Sequence, residues 1–252
     1  MKNYVLLILI LSVSLGSCKK VNETDHSLTL VEYQELGMPD YNSVWSMEDY
    51  STAFYVLNTL KYQNLKALPS RDSEKSKVLF SRMISIDNLS FLEDETIPLY
   101  AKAGLIKWFV NTLMELKVAY TTIGTERQYY VRELMDIDIF RVRVAQKMLE
   151  LGNEINESED PSDVDMQSDY PQIQLMYLNI LTELFELQQH TTQYPEQTLE
   201  LLSDSLSTSV RRNMLWFDEE ASALIKQAML TVIDNTSSRK IRNDYSELAE
   251  IL

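Results

Sequence analysis

Apolar residues recur at three- and four-residue spacing through most of residues 46–252, and no stretch alternates apolar with polar as a half-buried strand does. Leu99, Ala103, Ile106, Val110, Leu113 and Tyr120 form one such stripe, and Val131, Leu134, Ile137, Val144 and Met148 the next. This periodicity predicts an all-α chain: a single helical bundle or stacked helical hairpins of about seven to eight helices. The boundary residues agree. Ser46 with Asp49, and Thr125 with Gln128, read as capping boxes; Asp218 reads as an N-cap; Pro195 opens a helix and Gly152 is expected to close one. The turn at Gly124 is short, so the helices on either side should lie antiparallel. The helix after Pro171 carries Ile173, Tyr177, Ile180 and Leu184 on one face and Leu175, Leu178, Leu181 and Phe185 on another. A helix apolar on two faces belongs between neighbours.

The N-terminus has a different character. Lys2 precedes an apolar run from Val5 to Leu15, too short to span a bilayer as a helix. Gly16 and Ser17 then lead into Cys18, the only cysteine. Leu15-Gly16-Ser17-Cys18 resembles the lipobox of bacterial lipoproteins, and residues 1–17 resemble their signal peptide. The resemblance covers residues 1–18. It implies that cleavage falls before Cys18, that Cys18 is acylated, and that the chain is held in a membrane of the cell envelope. Lys19, rather than aspartate, follows the cysteine, which in that family implies release to the outer membrane; the side it faces stays open. The chain then divides into a signal peptide (1–17), a tether and N-terminal segment (18–45, with a turn at Gly37-Met38-Pro39-Asp40) and a helical domain (46–252). Within that domain, about 153–169 lacks apolar periodicity and reads as an acidic linker.

Composition excludes several classes. With Cys18 acylated, no thiol remains for a disulfide, a thiolate metal site or a nucleophile. Only Gly37, Gly104, Gly124 and Gly152 follow it, with no G-x-G-x-x-G and no Walker loop, so the usual nucleotide enzymes are excluded and no cofactor is expected. Loss of Lys2 with the signal peptide leaves 22 bases against 38 acids, a net charge of −16 that disfavours nucleic acid. Met148 to Val210 holds no base and thirteen acids. The bland reading is a solvated linker and polar helix faces. The sharper reading is a docking surface for a basic partner, centred on Asp160, Asp163 and Asp165.

Other candidates are weighed against plain packing. Asp163, Asp165 and Asp169 imitate the start of a calcium loop, but Ser168 stands at the sharp turn and Gln174 at the twelfth position. Glu183, Glu186 and His190 share one side of a helix, yet no Glu-x-x-His exists to complete a bundle metal site, and none is assigned. Tyr55 and Tyr62 lie opposite the Ala53/Leu57/Leu60 stripe, as second-face packing or as a recognition surface. Arg132 with Asp136, and Asp138 with Arg141, read as exposed helical ion pairs; Arg211 and Arg212 read as neutralisers of nearby acids. No catalytic constellation is present. The expectation is a lipid-anchored envelope protein that binds a protein partner as an adaptor. The alternatives are an inhibitor or immunity-type lipoprotein neutralising a basic toxin or hydrolase, and an enzyme or small-molecule binder with a pocket between helices.

Overall fold

The computed structural model describes residues 25–121, 129–189 and 194–252, and for Ser162 and Asp165 the backbone alone. Cys18 and Lys19, the Thr125–Gln128 capping box and His190 lie outside the described residues. The described residues are all-α, without strands. The helices are α1 (Leu30–Glu35), α2 (Met47–Asn64), α3 (Lys77–Met83), α4 (Leu99–Tyr120), α5 (Val131–Glu157), α6 (Pro161–Gln167), α7 (Tyr170–Gln189), α8 (Glu196–Asn213), α9 (Glu219–Asn235) and α10 (Arg239–Ile251).

Local signals set several boundaries. Ser46 accepts from the Asp49 N–H while Asp49 Oδ2 accepts from the Ser46 N–H, the expected capping box of α2. Asp218 and Ser238 cap α9 and α10 through side-chain oxygens, and Pro195 stands at the N-cap of α8. Pro98 holds the N-cap of α4, and the preceding Thr96 donates to Asp94.

Residues 25–45, expected as a tether, are docked on the domain. Gly37, at φ +91°, ends α1 in the left-handed conformation; the next N–H, that of Met38, donates back to the Tyr33 carbonyl. Tyr33 is fully buried and its hydroxyl donates to the Ala67 carbonyl at 2.6 Å. Tyr120 and Tyr130 donate to the carbonyls of Pro69 and Leu65. Three tyrosines thus donate to the 65–69 segment, where a 3-10 turn (Leu65–Ala67) gives way to extended backbone. Asn88 does the same elsewhere: its side chain accepts from the Trp45 N–H at 3.0 Å and donates to the Tyr50 hydroxyl and the Arg82 carbonyl.

The packing centres on α5, which touches α4, α6, α7 and α8. Tyr120 stacks edge-on against Tyr130, Phe109 meets Phe140 at 6.1 Å, and Gly104 shares a cavity wall with Gly152. These pairings run in opposite directions along the two helices, so α4 and α5 are antiparallel as expected, although α5 starts at Val131 and not at Thr125. Helix α7 lies between α5 and α9, the sandwiched position its two apolar faces require.

The linker expected at about 153–169 is a correction. Gly152 does not end α5; the helix continues to Glu157 because Asn153 and Ile155 are buried beneath α6 and α7. Gly152 is instead a contact point, where an added Cβ would meet Ile173 Cγ2 at 3.0 Å. Asp163 is buried and accepts from Ser158 Oγ, and Gln167 donates to the carbonyls of Ile155 and Ser158. These bonds fold the segment back as α6, although its sequence carries no apolar stripe.

Asn88→Ala is expected to cost about 2–3 kcal/mol, because it strands the buried Trp45 N–H without an acceptor. Urea unfolding monitored by tryptophan fluorescence measures it.

Candidate functional site

The outer face of α2 is the best-formed candidate. Ala53, Val56, Leu57 and Leu60 seat the helix on the core. On the other side Ser51, Tyr55, Asn58 and Tyr62 follow one another at four-, three- and four-residue steps, all exposed. Tyr55 is 76% and Tyr62 85% exposed, far beyond what a snorkelling tyrosine needs. Neither packs on a second layer. After Asp49 in its first turn, α2 carries no acid at all, so this stripe is uncharged in a chain holding 38 acids. Lys61 fastens the helix to the end of α4 by donating to the Val118 carbonyl at 2.5 Å.

At its N-terminal end the stripe runs into a trough of about 520 Å³. Phe91, Leu105 and Trp108 form its wall, Val44 and Met47 its exposed lip, and Glu48 lies at its edge. Tyr50 organises the floor: it meets Trp45 at 5.4 Å, Phe109 at 5.1 Å and Trp108 at 6.1 Å, each edge-on. Trp45 itself is 2% exposed and donates through Nε1 to the Asp40 carbonyl, so its role there is structural. The crowding of aromatics over residues 33–62 is visible in sequence; the contribution of Phe91 and Trp108 is not, because they arrive from a 3-10 segment and from α4.

The acidic window resolves differently. Asp163 is buried, which corrects its placement on a partner surface. Asp160 is exposed; the side chain of Asp165 lies outside the described set. Glu150 pairs with Lys147 and Arg212, both at 2.9 Å; despite opposing burial, hydrogen bonds from Gln146 and Lys147 hold its carboxyl below the usual value. Asp204 pairs with Lys240, and Glu200 accepts from Ser238 Oγ. Bases from outside the window thus return to it, Arg212 among them as expected, while Arg211 pairs with Glu247 of α10.

Glu183 is engaged by two cations. It receives Arg141 Nη2 at 2.9 Å and Lys117 Nζ at 3.3 Å. Both cations also hold Asp138 Oδ1, each at 2.8 Å. The Asp138 and Arg141 side chains are 2% and 4% exposed, so the pair expected on the surface is buried. Arg132 and Asp136, expected as a pair, take other partners: Arg132 meets Asp72 and Asp136 meets Arg71 at 2.6 Å. Glu186 is exposed one turn from Glu183. Among the described residues, no three His, Cys, Asp or Glu side chains gather as metal ligands.

Comparison with protein-family models, curated proteins and solved structures finds no match. No helix among the described residues is long and apolar enough to cross a membrane.

Two outcomes are expected at the charge cluster. Arg141→Met costs about 3–5 kcal/mol because Asp138 stays buried with half its compensation gone. Combined with Asp138→Leu it costs less than the two single changes summed, as a double-mutant cycle by urea unfolding reads out. Hydrogen bonds from Arg141 hold the Glu183 carboxyl below its ordinary 4.5. Its stabilising contribution is therefore complete above about pH 4.5 and is lost as pH falls through the depressed folded value. Melting temperatures from neutral pH to about pH 3 should show a shallower acid decline in Glu183→Gln than in wild type.

Proposed function

We propose that this chain is a lipid-anchored cell-envelope protein that docks a protein partner on the outer face of α2 and the adjoining aromatic trough. The observation carrying the proposal is the uncharged Ser51/Tyr55/Asn58/Tyr62 stripe, exposed on an otherwise acidic protein. Tyrosine presents a large, amphipathic contact area with few rotatable bonds, and serine and asparagine add adaptable hydrogen bonding; that combination suits protein recognition. The trough supplies a concave, aromatic-walled surface against which an anchor residue of a partner can pack. The lipobox supports the location: acylated Cys18 keeps the domain at the membrane, and Lys19 favours the outer membrane. Asp25 leaves only a short stretch from Cys18 to the docked segment, so the partner meets the domain close to the lipid surface.

Photo-crosslinkers placed at Tyr55 and at Tyr62 in the membrane-bound protein should yield the same adduct, absent from a control at exposed Leu224 of α9. Tyr55→Ala with Tyr62→Ala should weaken that partner's binding by roughly 30-fold or more while changing folding stability by less than about 1 kcal/mol. Two unrelated adducts, or none, would sink the docking assignment. Metabolic labelling with an alkyne palmitate should mark wild type and leave Cys18→Ala unlabelled and outside the membrane fraction.

A further inference from the structure

A second concavity lies on the other side of α4 from the trough, between α4, α5, α6 and α7, with a volume of about 230 Å³. Its walls are apolar: Ile106 from α4, Met148 and Leu151 from α5, Met166 from α6, Ile173 and Met176 from α7. An apolar cavity of about 150 Å³ already accepts benzene, so this one takes a larger body. Three of the seven aliphatic wall residues, Ala103 included, are methionines. Their unbranched, polarizable side chains adapt to varied apolar shapes, whereas a wall meant only to be filled is better served by branched residues.

Gly104 is the second observation. It stands inside α4, where glycine costs about 1 kcal/mol against alanine. Close packing does not require it: a Cβ built there meets no heavy atom within 4 Å, in contrast to Gly152 on the facing helix, where Ile173 stands at 3.0 Å. Gly104 is exposed at the rim of the cavity, so its missing side chain leaves the mouth open. At the mouth Lys107 and Asp169 supply one charge of each sign, and Tyr100 and Gln172 supply uncharged hydrogen-bonding groups. Such a rim selects neither anion nor cation.

We propose that this cavity is a binding site for a small, uncharged, predominantly apolar molecule, one or two rings or a short acyl chain in size, bearing at most a few hydrogen-bonding groups. The site is independent of the α2 surface and shares no residue with it.

The test uses the full chain carrying ¹³C-methyl methionine, titrated with indole as a neutral apolar probe. Saturable shifts are expected at Met148, Met166 and Met176, with Met83 and Met229, buried elsewhere in the core, unmoved. Gly104→Leu fills the opening and should weaken binding by about ten-fold or more. Gly104→Ala, which narrows the opening by a single methyl, should weaken binding by less than Gly104→Leu does. Should Gly104→Leu lose the native pattern of Met83 and Met229, Met176→Phe fills the space from the opposite wall with the same expected loss. Absence of saturation, shifts spread equally to Met83 and Met229, or undiminished binding in the filled variant would overturn the site.

Discussion

Asp138 is the point on which the central helix depends. Its carboxylate, 2% exposed, takes one cation from α4 and one from its own helix, and those cations reach on to Glu183 of α7. Two acids and two bases therefore cross three helices as one neutral group. A lone buried carboxylate would be prohibitive; one held by two cations that are shared with Glu183 is tolerated, and the bonds tie α4 and α7 to α5. Without those bonds α5 would have to turn a polar face to water. With them, the helix is enclosed by α4, α6, α7 and α8, and the domain organises around it.

The same principle disperses the acidic window. In sequence, Met148 to Val210 holds thirteen acids and no base. In space, Lys117, Arg141, Arg212 and Lys240 come back to it from before and after. Opposite charges distant in the chain become neighbours because helices pair antiparallel and side by side. What stays exposed on α2 is the reverse, a strip with no charge, and that contrast rather than the acidity marks the face proposed for a partner.

Much of the architecture was legible in residues 46–252. The Ser46/Asp49 box, the Asp218 cap, the stripes of α4 and α5 and the two apolar faces of α7 all act through neighbours within four residues, so their signal survives in a linear reading. The exposure of Tyr55 and Tyr62 followed from their angle to the Ala53/Leu57/Leu60 stripe, but whether another layer covers them did not. Gly152 misled for a physical reason: glycine stops helices and also permits close helix contact, and only the position of Ile173 distinguishes the two. The segment around α6 misled because its order comes from Ser158, Asp163 and Gln167 hydrogen bonds instead of apolar burial.

By itself the sequence determined the all-helical class, the helix starts at Ser46, Pro195 and Asp218, the lipobox pattern at Cys18 and the lack of G-x-G-x-x-G and Walker motifs, since each rests on local periodicity or on residue type. Only the tertiary structure decided that residues 25–45 dock, that Asp138 and Arg141 are buried, that Asp163 faces inward, and that Phe91 and Trp108 join Met47 in one trough. Those facts depend on which distant segments meet, and an ion pair or a tyrosine reads the same in a linear chain whether its partner lies in the core or in water.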